Sequence, residues 1–175
     1  TRALYLFAKD LVLYRTASGE PRLVDAHCPH LGAHLGVGGK VEGECLRCPF
    51  HGWRFDATGS CVEIPNASRI PARARTRRWT TLERNGMVFV WHGDVGAEPF
   101  FEIPVLPEWS DPAYSDRWMR FEWDVKTHPQ EISENGIDAP HFQFVHLMDP
   151  VEGYRVRFEG PAYHWSIGVS KEFST

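Results

Sequence analysis

Seven side chains that could bind a metal lie within residues 27 to 51, and no other feature of this sequence constrains the fold as strongly. A hydrophobic core does not need so many soft ligands in so short a stretch. The pairs Cys28-x-His30 and Cys48-x2-His51 fall in loops at the ends of short predicted strands. The stretch therefore predicts a metal centre held by loops. The other three candidates are His27, His34 and Cys45.

The spacing of the two pairs narrows the kind of metal centre. Seventeen residues separate His30 from Cys48, which gives the pattern C-x-H-x17-C-x2-H. The segments CPHLGAH and CPFHGW in this pattern resemble the two cluster-binding loops of Rieske [2Fe–2S] proteins. The resemblance implies that Cys28 and Cys48 bind one iron and that His30 and His51 bind the other. Two imidazoles in place of two thiolates make such a cluster easier to reduce than an all-thiolate one.

Zinc is the alternative that the residues leave open, because Cys45-x2-Cys48 and two histidines make a possible zinc ligand set. A C-x-H pair is tighter than the spacing usual in structural zinc sites, so the pattern favours the Rieske interpretation. Gly32 and Gly52 support it, since glycine allows tight loops whose main-chain N–H groups point towards bridging sulfides. The remaining candidates are interpreted as small strand residues or as structural histidines: Cys45, Cys61, His27 and His34.

Four positions separate this chain from the Rieske proteins of respiratory complexes. That type carries a disulfide between its two loops, and Ala33 and Phe50 occupy the corresponding positions here. It also has hydroxyl donors after its second loop, where this chain has Trp53 and Phe55. Fewer hydrogen bonds to sulfur stabilise the reduced cluster less, so we expect a potential towards the low end of the Rieske range. Such potentials are typical of Rieske oxygenases and Rieske ferredoxins.

A second motif, Asp138-x2-His141-x4-His146, lies well downstream of the first. It resembles the D-x2-H-x4-H motif of Rieske oxygenases, which implies that His141 and His146 bind a mononuclear Fe(II). The family's third ligand is a carboxylate far downstream, so we expect it to lie outside this chain and the chain alone to be inactive. The resemblance also implies that Asp138 bridges an iron ligand and a Rieske histidine of the neighbouring subunit in a homotrimer.

The residues of this motif also allow a purely structural interpretation, with Asp138 as a helix cap and both histidines in the interior. In a regular helix, side chains five residues apart point about 140° away from each other. His141 and His146 therefore reach one metal only if the helix is distorted between them. Pro140 and a cap at Asp138 predict such an irregularity.

Strand and turn signals predict an α+β protein. Short strands alternate with turns up to about residue 95, which favours an antiparallel sandwich or partly open barrel. Three predicted hairpins turn at TASGE, ATGS and Arg84-Asn85-Gly86. Four prolines in EPFFEIPVLPEWSDP indicate a connection between domains. The predicted order is an all-β Rieske domain over 1–97, a proline-rich connection over 98–117, and the start of an α+β, helix-grip-like catalytic domain over 118–175.

The second domain is predicted to begin with the strand WMRFEWDV at 118–125, followed by a helix. Thr127 is the predicted N-cap, with Pro129 in the first turn and Gln130 three residues after the cap. The helix should end at about Ile137, because Pro140 interrupts it.

The surroundings of both motifs resemble the steroid and sterol branch of the Rieske oxygenases, which contains 3-ketosteroid 9α-hydroxylases and cholesterol 7-desaturases. This resemblance implies electron supply from NAD(P)H through a ferredoxin or flavin reductase. It also implies that O₂ is used to hydroxylate or desaturate a steroid-like substrate. The alternative is a Rieske electron-transfer protein without a catalytic iron of its own, in which His141 and His146 are structural.

Charge and cysteine usage exclude some function classes. The net charge of −4 argues against a general nucleic-acid binder. Cysteines placed for metal chemistry favour a reducing compartment, so we expect a cytoplasmic protein. If it is a sterol desaturase, we expect membrane association through segments outside this chain, which we interpret as part of a longer protein.

The basic segment RARTRR, residues 73 to 78, has two interpretations. The simpler is a solvated strand face on which alternate arginines point the same way. The other is a docking surface for an acidic redox partner.

Overall fold

The computed structural model describes residues 1–94, 96–114, 121–149 and 152–168. The chain divides into two compact units, Thr1–Asp116 and Arg117–Thr175, and each is described by itself. Every strand pair in the described ranges is antiparallel. Together with the small helical content, this confirms the predicted α+β class.

The described part of the first unit contains ten strands. They are β1 (Arg2–Leu6), β2 (Lys9–Arg15), β3 (Pro21–Asp25), β4 (Lys40–Glu42), β5 (Cys45–Arg47), β6 (Arg54–Phe55), β7 (Cys61–Glu63), β8 (Arg78–Trp79), β9 (Thr81–Arg84) and β10 (Met87–Val90). One four-stranded sheet has the order β1-β2-β3-β8 and the other the order β4-β5-β6-β7. β9 and β10 form a separate hairpin.

One cluster of buried side chains joins the two four-stranded sheets. Val12 and Val24 come from the first sheet and Phe55 from the second, and each is at most 1% exposed. Burying a side chain of this size stabilises the folded state by about 1.5–3 kcal/mol. Cys28 and Cys48 belong to the same cluster, so the core that holds the sheets together also fixes both cysteines.

All three predicted hairpins are present. β2 pairs with β3 across the turn predicted at TASGE. Asn85 and Gly86 join β9 to β10 with φ angles of 54° and 70°, the left-handed backbone that an Asn-Gly turn requires. In the turn between β6 and β7, the Asp56 carboxylate accepts hydrogen bonds from the N–H groups of Thr58 and Ser60. Local turn chemistry therefore fixes the order of these strands.

The proline-rich segment after β10 is fixed to the first unit. The Asn85 side chain donates to the Pro104 carbonyl at 2.9 Å and accepts from the Leu106 N–H at 3.0 Å. A short 3-10 helix, Pro107–Ser110, follows. The domain boundaries expected at 97 and 117 stay a prediction.

The described part of the second unit contains two helices and a β-hairpin, namely α1 (Pro129–Ile137), α2 (Ala139–Phe144), β11 (Glu152–Glu159) and β12 (Ala162–Gly168). The Tyr154 hydroxyl donates to the Ile137 carbonyl at 2.5 Å, and the Tyr163 hydroxyl donates to the Ser133 carbonyl at 3.3 Å. These bonds hold the hairpin against α1. None of the described helices is long and apolar enough to span a membrane.

Two local predictions for this unit are wrong, while the predicted end of α1 at Ile137 is confirmed. His128, not Thr127, is the N-cap, and its Nδ1 atom accepts from the Gln130 N–H at 3.2 Å. Pro129 is the reason, because proline fits the first helical position and holds the preceding residue extended. The strand predicted over 118–125 is absent from its described part, where 121–125 pair with no described strand. Residues 118–120 lie outside the described residues.

Candidate metal centres

The first predicted cluster loop is closed by its own backbone. The Cys28 N–H donates to the Ala33 carbonyl at 2.9 Å, and the Gly32 N–H donates to the Cys28 carbonyl at 2.9 Å. Gly32 has a φ of 74°, a left-handed conformation that other residues rarely adopt. The loop leaves the end of β3, so the first sheet determines where Cys28 lies.

The second cluster loop repeats this hydrogen-bonded frame. The Cys48 N–H donates to the Trp53 carbonyl at 2.8 Å, and the Gly52 N–H donates to the Cys48 carbonyl at 3.2 Å. Gly52 has a φ of 70°. The loop lies between β5 and β6, so the second sheet determines where Cys48 lies. In both loops a cysteine opens a six-residue turn whose fifth residue is a left-handed glycine.

The two loop cysteines place their thiols together in the core. Cys28 is 3% exposed and Cys48 is 2% exposed. Burial, with a smaller contribution from contact with the Cys48 thiol, raises the pKa of Cys28 to about 11. No cysteine of the chain forms a disulfide. Two adjacent buried thiols are a ligand pair for a soft metal, which binds their deprotonated forms and displaces both protons.

The two loop histidines present their rings to each other at the surface. The Nδ1 atoms of His30 and His51 lie 3.1 Å apart, so both point towards one place. The His30 ring stacks on Trp53 with 4.6 Å between centroids and 8° between planes. The Phe50 ring lies 4.0 Å from that of His51. Both imidazoles are exposed, in contrast to the buried thiols.

This donor set fits a [2Fe–2S] cluster with mixed ligands. A structural zinc ion needs four donors converging on one point. Within the described residues, no three His, Cys, Asp or Glu side chains are grouped to hold one ion. A buried thiol pair and an exposed imidazole pair are instead what a cluster with two thiolates on one iron and two imidazoles on the other requires.

The other histidines of the stretch have structural partners. His27 lies 3.3 Å from Asp10 through Nε2 and 3.2 Å from the Gly32 carbonyl through Nδ1. The hydrogen bond with Asp10 raises the pKa of His27. The Nδ1 atom of His34 accepts from the Gly36 N–H at 3.1 Å. These bonds occupy both ring nitrogens of His27 and one of His34.

The other two cysteines lie in strands, as the sequence predicted. Cys61 begins β7 and is buried, and Cys45 begins β5 and is half-buried. Burial raises the pKa of the Cys61 thiol. Neither residue lies in a cluster loop.

The second motif spans a break between two helices. Asp138 ends α1 and precedes α2, so the irregularity expected at this position is present. The Nδ1 atom of His141 lies 2.5 Å from the Asp138 carbonyl and 3.9 Å from its carboxylate. An Nδ1–H that donates to this carbonyl leaves Nε2 with a lone pair for a metal. The Asp138 side chain is 55% exposed and makes no capping hydrogen bond to the described residues of α2.

His141 and His146 come together because α2 is short. The break at Asp138 precedes both histidines, so it does not account for their approach. α2 ends at Phe144, and His146 lies beyond it in a turn. The two rings are 5.2 Å apart between centroids, with 68° between their planes. The distortion needed between them is therefore the end of a helix rather than a kink at Pro140.

Sequence reasoning missed two contacts of these sites. It did not predict that Trp53 stacks on His30 or that Asp10 bonds to His27. Both contacts join residues that are distant in the sequence, and no motif relates their positions. For the stacking on His30, the aromatic residue directly after the CPFHG segment could have indicated the contact.

Comparisons with known proteins identify the family of both parts of the chain. Residues 1–76 match the Rieske [2Fe-2S] domain family, and residues 90–173 match the 3-ketosteroid 9alpha-hydroxylase C-terminal domain family. The cholesterol 7-desaturase nvd of Bombyx mori is 43% identical over 160 residues, which cover 91% of this chain and 34% of that protein. The chain belongs to the steroid and sterol branch of the Rieske oxygenase family.

Other members support the same assignment. The oxygenase component of a 3-ketosteroid-9-alpha-monooxygenase from Rhodococcus rhodochrous is 39% identical over 89% of this chain and 41% of its own length. Dicamba monooxygenase bound to dicamba superposes with a TM-score of 0.76 at 28% identity, over 96% of this chain and 52% of that one. This Rieske oxygenase chain thus spans about a third to two fifths of the curated relatives described here.

Proposed function

We propose that this Rieske oxygenase is the oxygenase component of a multicomponent system that hydroxylates or desaturates a steroid or sterol. Electrons would come from NAD(P)H through a ferredoxin or flavin reductase. The observation that carries the proposal is the presence, in one chain, of a Rieske donor set and a second histidine pair 5.2 Å apart. An electron carrier needs the first site and has no use for the second.

Two of the four proposed cluster ligands lie in the core, and the other two lie at the surface. Cys28 and Cys48 would hold one iron inside the core, where the packed sheets exclude water. His30 and His51 would hold the other iron at the surface, on the side of an electron acceptor. When bound, the cluster supplies a one-electron carrier of moderate potential.

The second site is proposed to hold a mononuclear Fe(II), which would supply O₂ activation. His141 and His146 are its imidazole ligands, and a carboxylate outside this chain completes a facial triad. The Asp138 carbonyl orients His141 and fixes its tautomer. The exposed Asp138 carboxylate is then available to accept a hydrogen bond from a Rieske histidine of the next subunit, in a homotrimer with head-to-tail contacts.

The substrate class rests on the relatives. Those with the highest identities described here are named for cholesterol and for 3-ketosteroids. Four free thiols suit a reducing compartment, and we propose a cytoplasmic location.

A single-turnover experiment on the complete protein tests this proposal. The metal-loaded protein is reduced with dithionite, freed of reductant, and mixed with cholesterol or a 3-ketosteroid under ¹⁸O₂. Mass spectrometry distinguishes a product that gained one ¹⁸O from one that lost two hydrogens. The electron-transfer alternative would be established by two results together. The cluster would be reoxidised by O₂ without either product, and metal analysis would find no second iron site.

A further inference from the structure

We propose that an acidic redox protein docks on Arg73, Arg75 and Arg77, called here the arginine strip, and reduces the cluster from that face. The inference rests on the proposed function, since it identifies the surface through which electrons enter. The exposed imidazole pair is assigned to the exit of electrons towards the mononuclear iron. We assign the entry of electrons to another face of the first unit.

The arginine strip is held by the backbone of both sheets. The Cys61 N–H donates to the Ala74 carbonyl at 2.8 Å, and the Thr76 N–H donates to the Gly59 carbonyl at 2.8 Å. On the other side, the Asp25 N–H donates to the Arg77 carbonyl at 3.0 Å. The segment thus bridges β7 and β3 in one fixed conformation.

Burial alternates along the strip. Ala74 is 5% exposed and Thr76 is 4% exposed, whereas the arginines on either side of them are exposed. Successive side chains of an extended segment point to opposite faces. Arg75 and Arg77 therefore share the outer face, and Arg73 lies exposed in the turn that precedes them.

These arginines lack the acidic partners that other arginines of the unit have. Arg15 pairs with Glu83, and Arg54 pairs with Glu63. Among the described residues, no carboxylate forms an ion pair with an arginine of the strip. The positive charge stands out in a chain of net charge −4. Unpaired guanidinium groups offer fixed donors that suit carboxylates of a partner.

The strip lies close to the cluster ligands. Ala74 belongs to the buried cluster that contains Cys28 and Cys48. Arg77 bonds through its carbonyl to Asp25, three residues before Cys28. The strip is therefore linked through Ala74 and Asp25 to the part of the first unit that holds the cysteine ligands.

An aromatic group extends the surface beside the strip. The Arg77 guanidinium lies 4.1 Å from the centre of the Trp79 ring, and Phe7 stacks on Trp79 with 5.5 Å between centroids. Phe7 is 42% exposed and has a φ of 55°, a conformation that costs a non-glycine residue free energy. Arginines beside an exposed aromatic ring are typical of protein interfaces. The combination suits a small, transient contact steered by charge.

The reaction on this surface is a one-electron transfer: the partner's reduced centre loses one electron and the oxidised Rieske cluster gains it. The test uses the complete, cluster-loaded protein and a reduced acidic plant-type [2Fe–2S] ferredoxin, whose potential is lower. Stopped-flow absorbance gives the second-order rate constant at several salt concentrations. A second readout is the affinity for oxidised ferredoxin, which transfers no electron.

The variant Arg73→Glu/Arg75→Glu leaves the Arg77–Trp79 contact intact. We expect its rate constant to fall at least tenfold at low salt, its salt dependence to weaken, and its affinity for oxidised ferredoxin to fall in parallel. Arg2→Glu is the control, because Arg2 is exposed at the end of β1 remote from Phe7. Equal losses in Arg2→Glu, or less than a twofold change in the double variant with an intact cluster spectrum, would overturn the proposal. Neither readout involves steroid oxidation, so this result is independent of the test of the proposed function.

Discussion

The Nδ1 atoms of His30 and His51 lie 3.1 Å apart although the two residues occupy different places in matching loops. His30 is the second residue after its cysteine, and His51 is the third. Both loops have the same pair of main-chain hydrogen bonds. The difference of one position between the two histidines therefore lies within the loops and does not change their ends. Their facing Nδ1 atoms distinguish the proposed ligand histidines from His27 and His34, whose ring nitrogens bond to Asp10, Gly32 and Gly36.

Removing a convergent histidine should therefore remove the cluster's spectrum, and removing a neighbouring one should not. We expect His51→Ala to lose the visible absorption and the EPR signal of a reduced Rieske centre. His27→Ala and His34→Ala are the controls and should keep both, because their rings bond to Asp10, Gly32 and Gly36. Loss of the spectrum in either control would contradict the four-ligand assignment.

The two loop glycines should respond differently to alanine. Both have positive φ, so Gly32→Ala and Gly52→Ala each cost about 1–2 kcal/mol in backbone strain. A Cβ at Gly52 would also come within 3.2 Å of the Pro65 ring, whereas a Cβ at Gly32 meets nothing within 4 Å. Thermal unfolding of the two variants should show Gly52→Ala as the less stable. Equal melting temperatures would show that Pro65 moves aside freely.

The stability of the protein should fall between about pH 10 and 12 because of Tyr14. Burial raises the pKa of Tyr14 to about 12, against 10.0 for an ordinary tyrosine, and the charge of Arg22 offsets part of this rise. Below pH 10 the phenol is neutral in both states. Above that value the unfolded chain ionises first, and the folded state loses up to about 2–3 kcal/mol by pH 12.

Tyr14→Phe is the matched control for this pH dependence. The Tyr14 hydroxyl is buried and has no hydrogen-bond partner among the described residues, so its removal should leave stability at pH 7 unchanged or higher. Denaturant unfolding at pH 7, 10 and 11.5 should show a smaller loss with pH in the variant. The same loss in both proteins would assign the effect to other groups.

Asp138→Ala in the complete protein should uncouple the two proposed metal sites. The His141 ring is held by the Asp138 carbonyl, which alanine keeps, so both irons should still bind. The carboxylate that would join the sites is gone, and product formation should fall at least a hundredfold while the cluster is still reduced by dithionite. Metal analysis, cluster absorbance and product yield measure these separately. Normal product yield would remove Asp138 from the electron path.

Local chemistry explains why much of the fold followed from the sequence. Asn85-Gly86 determines its own turn, and the cluster loops carry their ligands and glycines within six residues. The predicted N-cap of α1 is wrong by one residue, because Pro129 at the first helical position makes His128 the N-cap. Stacking of Trp53 on His30 joins a residue of one loop to a residue of the other, and no single-sequence period encodes such a contact.

The matching cluster loops have a consequence for protein engineering. Each six-residue turn is closed by main-chain hydrogen bonds and needs its left-handed glycine, and the cysteine and histidine side chains take no part in these bonds. The identity of the ligand residue, and its position in the sequence after the cysteine, could therefore be changed while the turn is kept. Transplanting the pair into another two-sheet scaffold would need only two adjacent strand ends and a buried place for each cysteine.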